Sequence, residues 1–396
     1  MNLMQEAMIT LLRSGLTGEK LPLPEGVDWA AVCKKLGRQS VTALAYQGAV
    51  NCGVSGEEPV MQRLFEYYYR SLLRSERQMQ AVEGLFAAFE ANGIPFLPLK
   101  GCNMKRLYPK PELRAMGDAD ILIHPEDHRR IIPVMEALGF RYRMENDHVF
   151  EWACDSLHVE LHKSLVPVTD ADYYAYYGTG WQLAVKGEGY RHDLSVEDAY
   201  LFLFTHFARH YRGSGIGCRH LVDLYVYRRA YPQMDGAYIQ RELRRLRLEA
   251  FHANMLRLLE VWFEGRTEDE ITALATAFIF SGGSWGSLEA AVLSEEVRAA
   301  QKTGAIRKTS AKALLHACFP PRQQMTYRYE AVRRNGWLLP VFWVVRWLDI
   351  LFCRPQKVRR RLAVLRRVND TQVQTRAAAL RAVGLEFHDD GISGEI

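Results

Sequence analysis

Between residues 94 and 165, short apolar runs bounded by turn residues interrupt a chain whose apolar side chains otherwise recur at helical spacing. That interruption confines the fold to helices built around one small sheet. Ile94–Leu99 is a short apolar run with Pro95 and Pro98, as expected of a buried strand, and Ala119–Ile123 is a second. Gly101–Tyr108 between them reads as a short helix, followed by a turn region at Pro109 and Pro111. Pro125–Leu138 reads as a helix with Pro125 near its first turn and Gly139 as its stop. Phe140–Met144, His148–Cys154 and Leu157–His162 read as three further strands, separated by turns at Glu145-Asn146-Asp147 and Asp155-Ser156. Upstream, Trp29–Tyr46 and Val60–Ala91 have helical spacing, and Asn92-Gly93 is a helix stop. Downstream, Val168–His192 is a Gly- and Tyr-rich connection. Ser195 with Asp198 resembles a capping box opening the helix Val196–Tyr211, and helical texture persists to about Val383. The expected architecture is α+β: a helical region over 1–93, a compact core with a small mixed sheet over 94–190, and a helical domain over 191–396.

Composition narrows the class. Of 396 residues, 48% are hydrophobic and 24% charged, enough for a large core, with only the tail after about Phe387 reading as loose. The net charge of +5 is mild and does not by itself imply nucleic acid. The charge is uneven: Arg354–Arg367 holds seven basic residues and no acid. Seven cysteines, never at Cys-x-x-Cys spacing, argue against a disulfide framework or a zinc knuckle and for a reducing, cytoplasmic setting. Met1–Leu12 has no signal-peptide pattern. Trp337–Phe352 is strongly apolar but only 16 residues long, and it contains Pro340, Arg346 and Asp349. A spanning helix needs about 20 apolar residues, so this segment is expected to pack into the core, with membrane-surface or partner contact as the second reading.

Asp118 and Asp120 open the second apolar run. Residues two apart in a strand share a face, and at a rise of roughly 3.3 Å their Cα atoms lie about 6.6 Å apart. Two carboxylates so placed can share hard divalent cations, which also hold substrate phosphates. A pair of such ions clamps the attacking and leaving oxygens of a phosphoryl transfer. An isolated Asp-x-Asp is usually a solvated turn. Here a glycine precedes it and an apolar strand follows, which puts the carboxylates at a sheet end. In His158-Val159-Glu160-Leu161-His162, Val159 and Leu161 take one face and His158, Glu160 and His162 the other. If this strand neighbours Ala119–Ile123, Glu160 joins the aspartates and can take a proton from an acceptor hydroxyl; the competing reading is an exposed strand face. Lys100-Gly101 ends the first strand and opens a helix, where glycine admits a phosphate, free N–H groups face it and Lys100 adds charge. Arg114 either reaches a phosphate, pairs with the aspartates or forms a structural salt bridge.

Together these residues resemble the uncharacterised nucleotidyltransferase family found mostly in bacteria, within the DNA polymerase beta-like superfamily. The pattern is Leu99-Lys100-Gly101, Tyr108-Pro109, Arg114, Asp118-Ala119-Asp120 and Glu160-Leu161-His162, in that order. The resemblance is strongest over 95–165 and extends loosely to Trp29–Tyr46 and to His206, His210 and Asp223. It implies a polymerase beta-like fold with a small mixed sheet backed by helices. It also implies magnesium-dependent (or manganese-dependent) transfer of a nucleoside monophosphate from a nucleoside triphosphate such as ATP, with release of pyrophosphate. Asp118, Asp120 and Glu160 carry over as metal ligands and catalytic carboxylates. Lys100, Gly101 and Arg114 are the candidates for the triphosphate. Most of the superfamily has Gly-Ser after the first strand, whereas this chain has Lys100-Gly101-Cys102.

Two rival readings remain open. His206 and His210 share a helix face, and with Asp223 they could bind a transition metal, as in a metal-dependent phosphohydrolase. The other rival is a non-catalytic nucleotide- or partner-binding protein. Arg354–Arg367 reads as a solvated amphipathic helix, with nucleic-acid phosphates or an anionic membrane as alternatives. The acceptor, be it a small hydroxyl compound, a tRNA end or a protein side chain, is not identified by the sequence, nor is the oligomeric state.

Overall fold

The computed structural model describes residues 1–284, 286–303, 318–322, 325–326, 329–353, 360, 363–364 and 367–387. Three N-terminal helices, α1 (Leu3–Thr17), α2 (Trp29–Arg38) and α3 (Thr42–Asn51), precede the 33-residue α4 (Pro59–Ala91). Proline in the first turn starts α4, and Asn92 followed by Gly93 at φ 64° stops it, as the sequence predicted. α1 and α3 cross closely because both contact points are glycine. A Cβ at Gly48 would lie 1.9 Å from the Leu11 carbonyl oxygen, and one at Gly15 would lie 2.4 Å from that of Leu44.

The sheet follows, with β1 (Phe96–Pro98), α5 (Lys100–Lys105), β2 (Asp118–Ile123), α6 (His128–Ala137), β3 (Arg141–Glu145), β4 (Val149–Ala153) and β5 (His158–His162). Its spatial order is β1-β2-β5-β4-β3. β2 and β5 run parallel and every other pair is antiparallel, so the sheet is mixed. Its two faces have different chemistry. Ala119, Ile121, Ile123, Val159 and Leu161 bury with Val82, Leu85 and Phe89 of α4 and Ile131 and Met135 of α6. Alternation sends Asp118, Asp120 and Leu122 to the opposite face, where Leu97 and Leu122 belong to a second core shared with the downstream helices. The fold is thus α+β, a small mixed sheet with helical flanks.

The connection after β5 holds more structure than its glycines suggested: α7 (Ala171–Tyr177) and a hairpin of β6 (Ala184–Lys186) with β7 (His192–Leu194). Tyr173 and Tyr177, four apart, bury one face of α7. α8 (Val196–Arg212) then starts at Ser195, whose hydroxyl oxygen accepts from the Asp198 amide at 3.0 Å. α9 (Cys218–Ala230), α10 (Gly236–Arg245), α11 (Glu249–Leu259), α12 (Glu270–Ser281) and α13 (Leu288–Thr303) continue the helical region. It packs back on the N-terminal helices through Gln39, whose amide donates to Ile279 and Gly282 carbonyls and accepts from the Cys218 amide. All three sequence segments therefore contribute to one core.

Among the last elements, α14 (Glu330–Arg334), α15 (Leu339–Cys353) and α16 (Asp370–Ala382), the expectation of a packed core at Trp337–Phe352 is corrected. The segment is helical, but Trp337 is 76% exposed, and Val341, Val344 and Leu348 are also exposed. Its apolar residues surround the helix, so one face cannot bury them all. Trp343 and Trp347 are engaged through indole N–H bonds to the Pro320 and Cys318 carbonyls, and Phe342 packs on Tyr329. No helix among the described residues is long and apolar enough to cross a membrane. Most of the basic run Arg354–Arg367, and the tail after Phe387, lie outside the described residues.

A buried ion pair joins the sheet to the helical region. The Arg114 guanidinium donates Nε to Oδ1 and Nη2 to Oδ2 of Asp223 on α9, both at 2.8 Å, and the Tyr108 hydroxyl donates to Oδ1 at 2.7 Å. Removing one partner of a buried pair leaves an uncompensated charge, which costs about 3–5 kcal/mol. Asp223→Ala is expected to lower unfolding stability by that amount in urea denaturation, and Tyr108→Phe by only about 1 kcal/mol. Wild-type stability for Asp223→Ala would show that this clamp does not hold the two parts together.

Candidate functional site

The parallel β2–β5 ladder sets Asp120 opposite Glu160 and Asp118 opposite His158. This is the strand pairing on which the sequence argument for Glu160 depended. Asp118, Asp120 and Glu160 line one cleft of about 230 Å³, closed on its far side by Leu203, His206 and His210 of α8 and by Arg219, His220 and Asp223 of α9. Asp120 is buried, Asp118 half-buried, and the Glu160 side chain is the most open at 33% exposure.

Lys100 enters the same cleft from the β1–α5 junction. Its backbone is held at φ 23°, a conformation L residues rarely adopt. The preceding Leu99 amide is bonded to the Asp120 carbonyl at 2.9 Å. The Lys100 Nζ lies 3.4 Å from Asp120 Oδ2 and 3.2 Å from His206 Nδ1, to which it donates. Gly101 serves packing first: a Cβ there would meet the Asp118 carbonyl oxygen at 3.3 Å and the Met116 side chain at 3.4 Å, so its absence lets α5 lie against the start of β2.

His162, on the same strand face as Glu160, is buried within the carboxylates. Its Nε2 is 3.0 Å from Asp120 Oδ1 and 3.5 Å from Glu160 Oε2, and its Nδ1 is 3.1 Å from His148 Nε2. A carboxylate only accepts, so Nε2 carries a proton. Burial opposes charge on His162, but the hydrogen bonds to Asp120 and Glu160 outweigh it and raise its pKa. His148 is pushed down to about 2 by burial and by the neighbouring positive charges of His162 and Arg209, so it is neutral. One proton arrangement satisfies the whole chain: His162 Nδ1–H donates to His148, and His148 Nδ1–H donates to Ser164 Oγ at 3.3 Å. The Ser164 hydroxyl in turn donates to the Val166 carbonyl at 2.8 Å.

Electrostatics separate the two aspartates. Burial opposes the charge of Asp120, yet Lys100 and the His162 hydrogen bond hold its pKa well below the usual carboxylate range. Burial, then the charges of Asp120 and Glu160, lift Asp118 to about 6. A cation between these carboxylates would relieve that repulsion, which is the sense in which the donor set fits a metal. Asp120, Glu160 and His162 offer ligand atoms within 4.8 Å of one another. His162 Nε2 is already committed to Asp120, so the free lone pairs here are carboxylate oxygens, the donors a hard cation prefers.

Two expectations need correction. Arg114 lines the cleft, but its guanidinium is buried and saturates Asp223, with a further bond to the Gly101 carbonyl, so it is not free to bind a triphosphate. Asp223 accepts from Arg114 and Tyr108 on both oxygens, and among the described residues it does not come together with His206 and His210 as a metal-holding group. Those two histidines and His220 instead form a packed group, with ring centroids 4.4–6.0 Å apart. Burial, then nearby cations, drives all three pKa values down, to about 3 for His210, so they face the carboxylates as neutral rings. The sequence places His162 on the face of Glu160 without giving it a role, and it does not reach His148 or Arg219 for the site. His148 and Arg219 arrive from other elements and carried no local signal.

A small mixed sheet with three carboxylates at the edge of its parallel pair, roofed by helices, defines the nucleotidyltransferase class. A family model described as "Uncharacterised nucleotidyltransferase" matches residues 25–264, and the chain belongs to that family. No curated protein and no solved structure shows a significant match.

The raised pKa of Asp118 yields a stability test in metal-free buffer. Its folded-state value lies above the ordinary 3.8, so its ionised form penalises folding above about pH 6, and the penalty is relieved as pH falls through 6 toward 3.8. Asp118→Asn should therefore stabilise the protein at neutral pH, on the order of 2 kcal/mol, and the gain should shrink as pH approaches 4. Chemical denaturation at both pH values measures it. A variant less stable than wild type at neutral pH would mean that the carboxylates do not repel one another.

Proposed function

We propose that the enzyme transfers a nucleoside monophosphate from a nucleoside triphosphate to a hydroxyl acceptor in a magnesium-dependent reaction. The single observation that carries this reading is the in-register pairing of Asp120 with Glu160 across parallel strands, with Asp118 two residues away on the same face. Asp118 and Asp120 would hold the metal ions, which when bound neutralise phosphate charge and polarise the reacting oxygens. Glu160, the most exposed of the three, takes the acceptor proton. The freed acceptor oxygen bonds to the α-phosphorus, and the bond from that phosphorus to the bridging oxygen breaks, so pyrophosphate leaves with the electron pair. Lys100, already 3.4 Å from Asp120, supplies positive charge to the triphosphate, and Arg219 on the opposite wall is placed to share it. His162 acts as a positioning residue that fixes the Asp120 carboxylate through its Nε2 proton.

Calorimetry with non-hydrolysable ATP and CTP analogues tests this. Binding should require magnesium, should be lost in Asp118→Asn/Asp120→Asn, and should weaken about tenfold or more in Lys100→Met, since a hydrogen bond to a charged group contributes roughly 1.5–3 kcal/mol. Equal binding by wild type and the double aspartate variant, or no binding of any nucleotide, would overturn the reading.

A further inference from the structure

A second polar pocket lies behind the loop that leads into β2. It has a volume of about 300 Å³, and Arg114 and Met116 line both it and the catalytic cleft, so one wall of chain separates the two. Three features suit it to an anion. Lys105 lines it and is only 1% exposed. Its Nζ donates to the Arg114 carbonyl at 2.9 Å and has no carboxylate within 4 Å among the described residues. Burying an ammonium with one carbonyl partner is costly, and an anion in the pocket would offset that cost. The N-terminus of the ten-residue α3 opens into it at Thr42 and Ala43, and Val41 before it offers no side-chain cap, so its first amides are free donors. Arg70 and Arg74 of α4 form its rim.

That rim continues along α4. Arg63, Tyr67, Arg70, Arg74 and Arg77 follow the 3- and 4-residue spacing of one helix face, all are exposed, and none of these arginines meets a carboxylate among the described residues. At 1.5 Å per residue the stripe runs about 21 Å. Within it Tyr67, which also lines the pocket, keeps its ring about half exposed. A polyanion with flat groups fits this combination: the arginines track phosphates, and an exposed ring among them stacks on a base only where that base is unpaired.

We infer that the α4 arginine stripe and the Lys105 pocket hold the phosphates of a single-stranded nucleic acid, which makes its terminal hydroxyl the acceptor. This rests on the nucleotidyltransferase reading of the carboxylate cleft. The stripe runs past the pocket whose Arg114 and Met116 also line that cleft, which sets a strand lying on it beside the carboxylates' wall.

The test is fluorescence anisotropy with a short labelled oligoribonucleotide of mixed sequence, in EDTA so that the metal site plays no part. Wild type should bind, and affinity should fall as salt rises from about 50 to 200 mM. Arg70→Ser/Arg74→Ser, two exposed changes that leave the core intact, should weaken binding at least tenfold and reduce the salt slope by about 1.4, the value for two single-strand phosphates. The same variant should keep magnesium-dependent binding of the nucleotide analogue. A failure of the carboxylate reading would show instead as loss of nucleotide binding in wild type. Absence of oligonucleotide binding, or equal binding by the double variant, would overturn the inference. So would arginine-dependent sedimentation with anionic phosphatidylserine vesicles without oligonucleotide binding.

Discussion

The parallel pairing of β2 with β5 is the constraint on which the site depends. A strand presents alternate residues to opposite faces, so one register decides both which apolar side chains meet α4 and α6 and which polar ones face α8 and α9. With Asp120 opposite Glu160, the apolar set Ala119, Ile121, Val159 and Leu161 is buried while three carboxylates and His162 share the other face. A slip of one residue would bury the carboxylates against Phe89 and expose the core. The hydrophobic burial of one face thus enforces the proximity of like charges on the other.

That proximity is offset by neighbours of opposite or no charge. Lys100 and His162 hold Asp120 ionised, whereas Asp118 carries the residual strain of the cluster. The histidines of α8 and α9 are buried enough to be neutral, so the roof of the cleft adds shape and polar atoms without adding charge. Arg219 and Lys100 then provide the positive charge on the two walls between which a triphosphate would lie.

The helical region is fixed over the sheet by the Arg114–Asp223 pair with Tyr108, and by Gln39 bridging the N-terminal helices to α9 and α12. Both are fully satisfied polar clusters inside apolar surroundings, which specify one docking geometry where apolar packing alone would tolerate several. The same loop that supplies Arg114 to this clamp separates the carboxylate cleft from the Lys105 pocket.

Much of this was legible before any coordinates. The five strands of the sheet, the long α4 with its Asn92-Gly93 stop, and the shared face of Asp118 and Asp120 follow from local periodicity and turn chemistry, because short-range sterics dictate them, whereas Glu160 joined them through the family resemblance and the β2–β5 pairing. Residues two apart in a strand must share a face, so the grouping of Asp118 with Asp120 needed no tertiary information. The α7 helix and β6–β7 hairpin were hidden by their glycines, and exposure of α15 could not be read from an apolar run that covers the whole helix surface. What only the tertiary structure decided is which long-range partner each polar group meets. Arg114 had phosphate, aspartate and structural readings that were equal in sequence. It was settled by the arrival of Asp223, 109 residues away, whose two oxygens take up its guanidinium. His148 reaches His162 through β4–β5 pairing, and Lys105 meets the Arg114 carbonyl but, among the described residues, no carboxylate within 4 Å. Sequence determines the chemistry each short segment carries. The packing of distant segments determines which of those groups are already satisfied and which remain to meet a ligand, because burial and partner distance are properties of the whole fold.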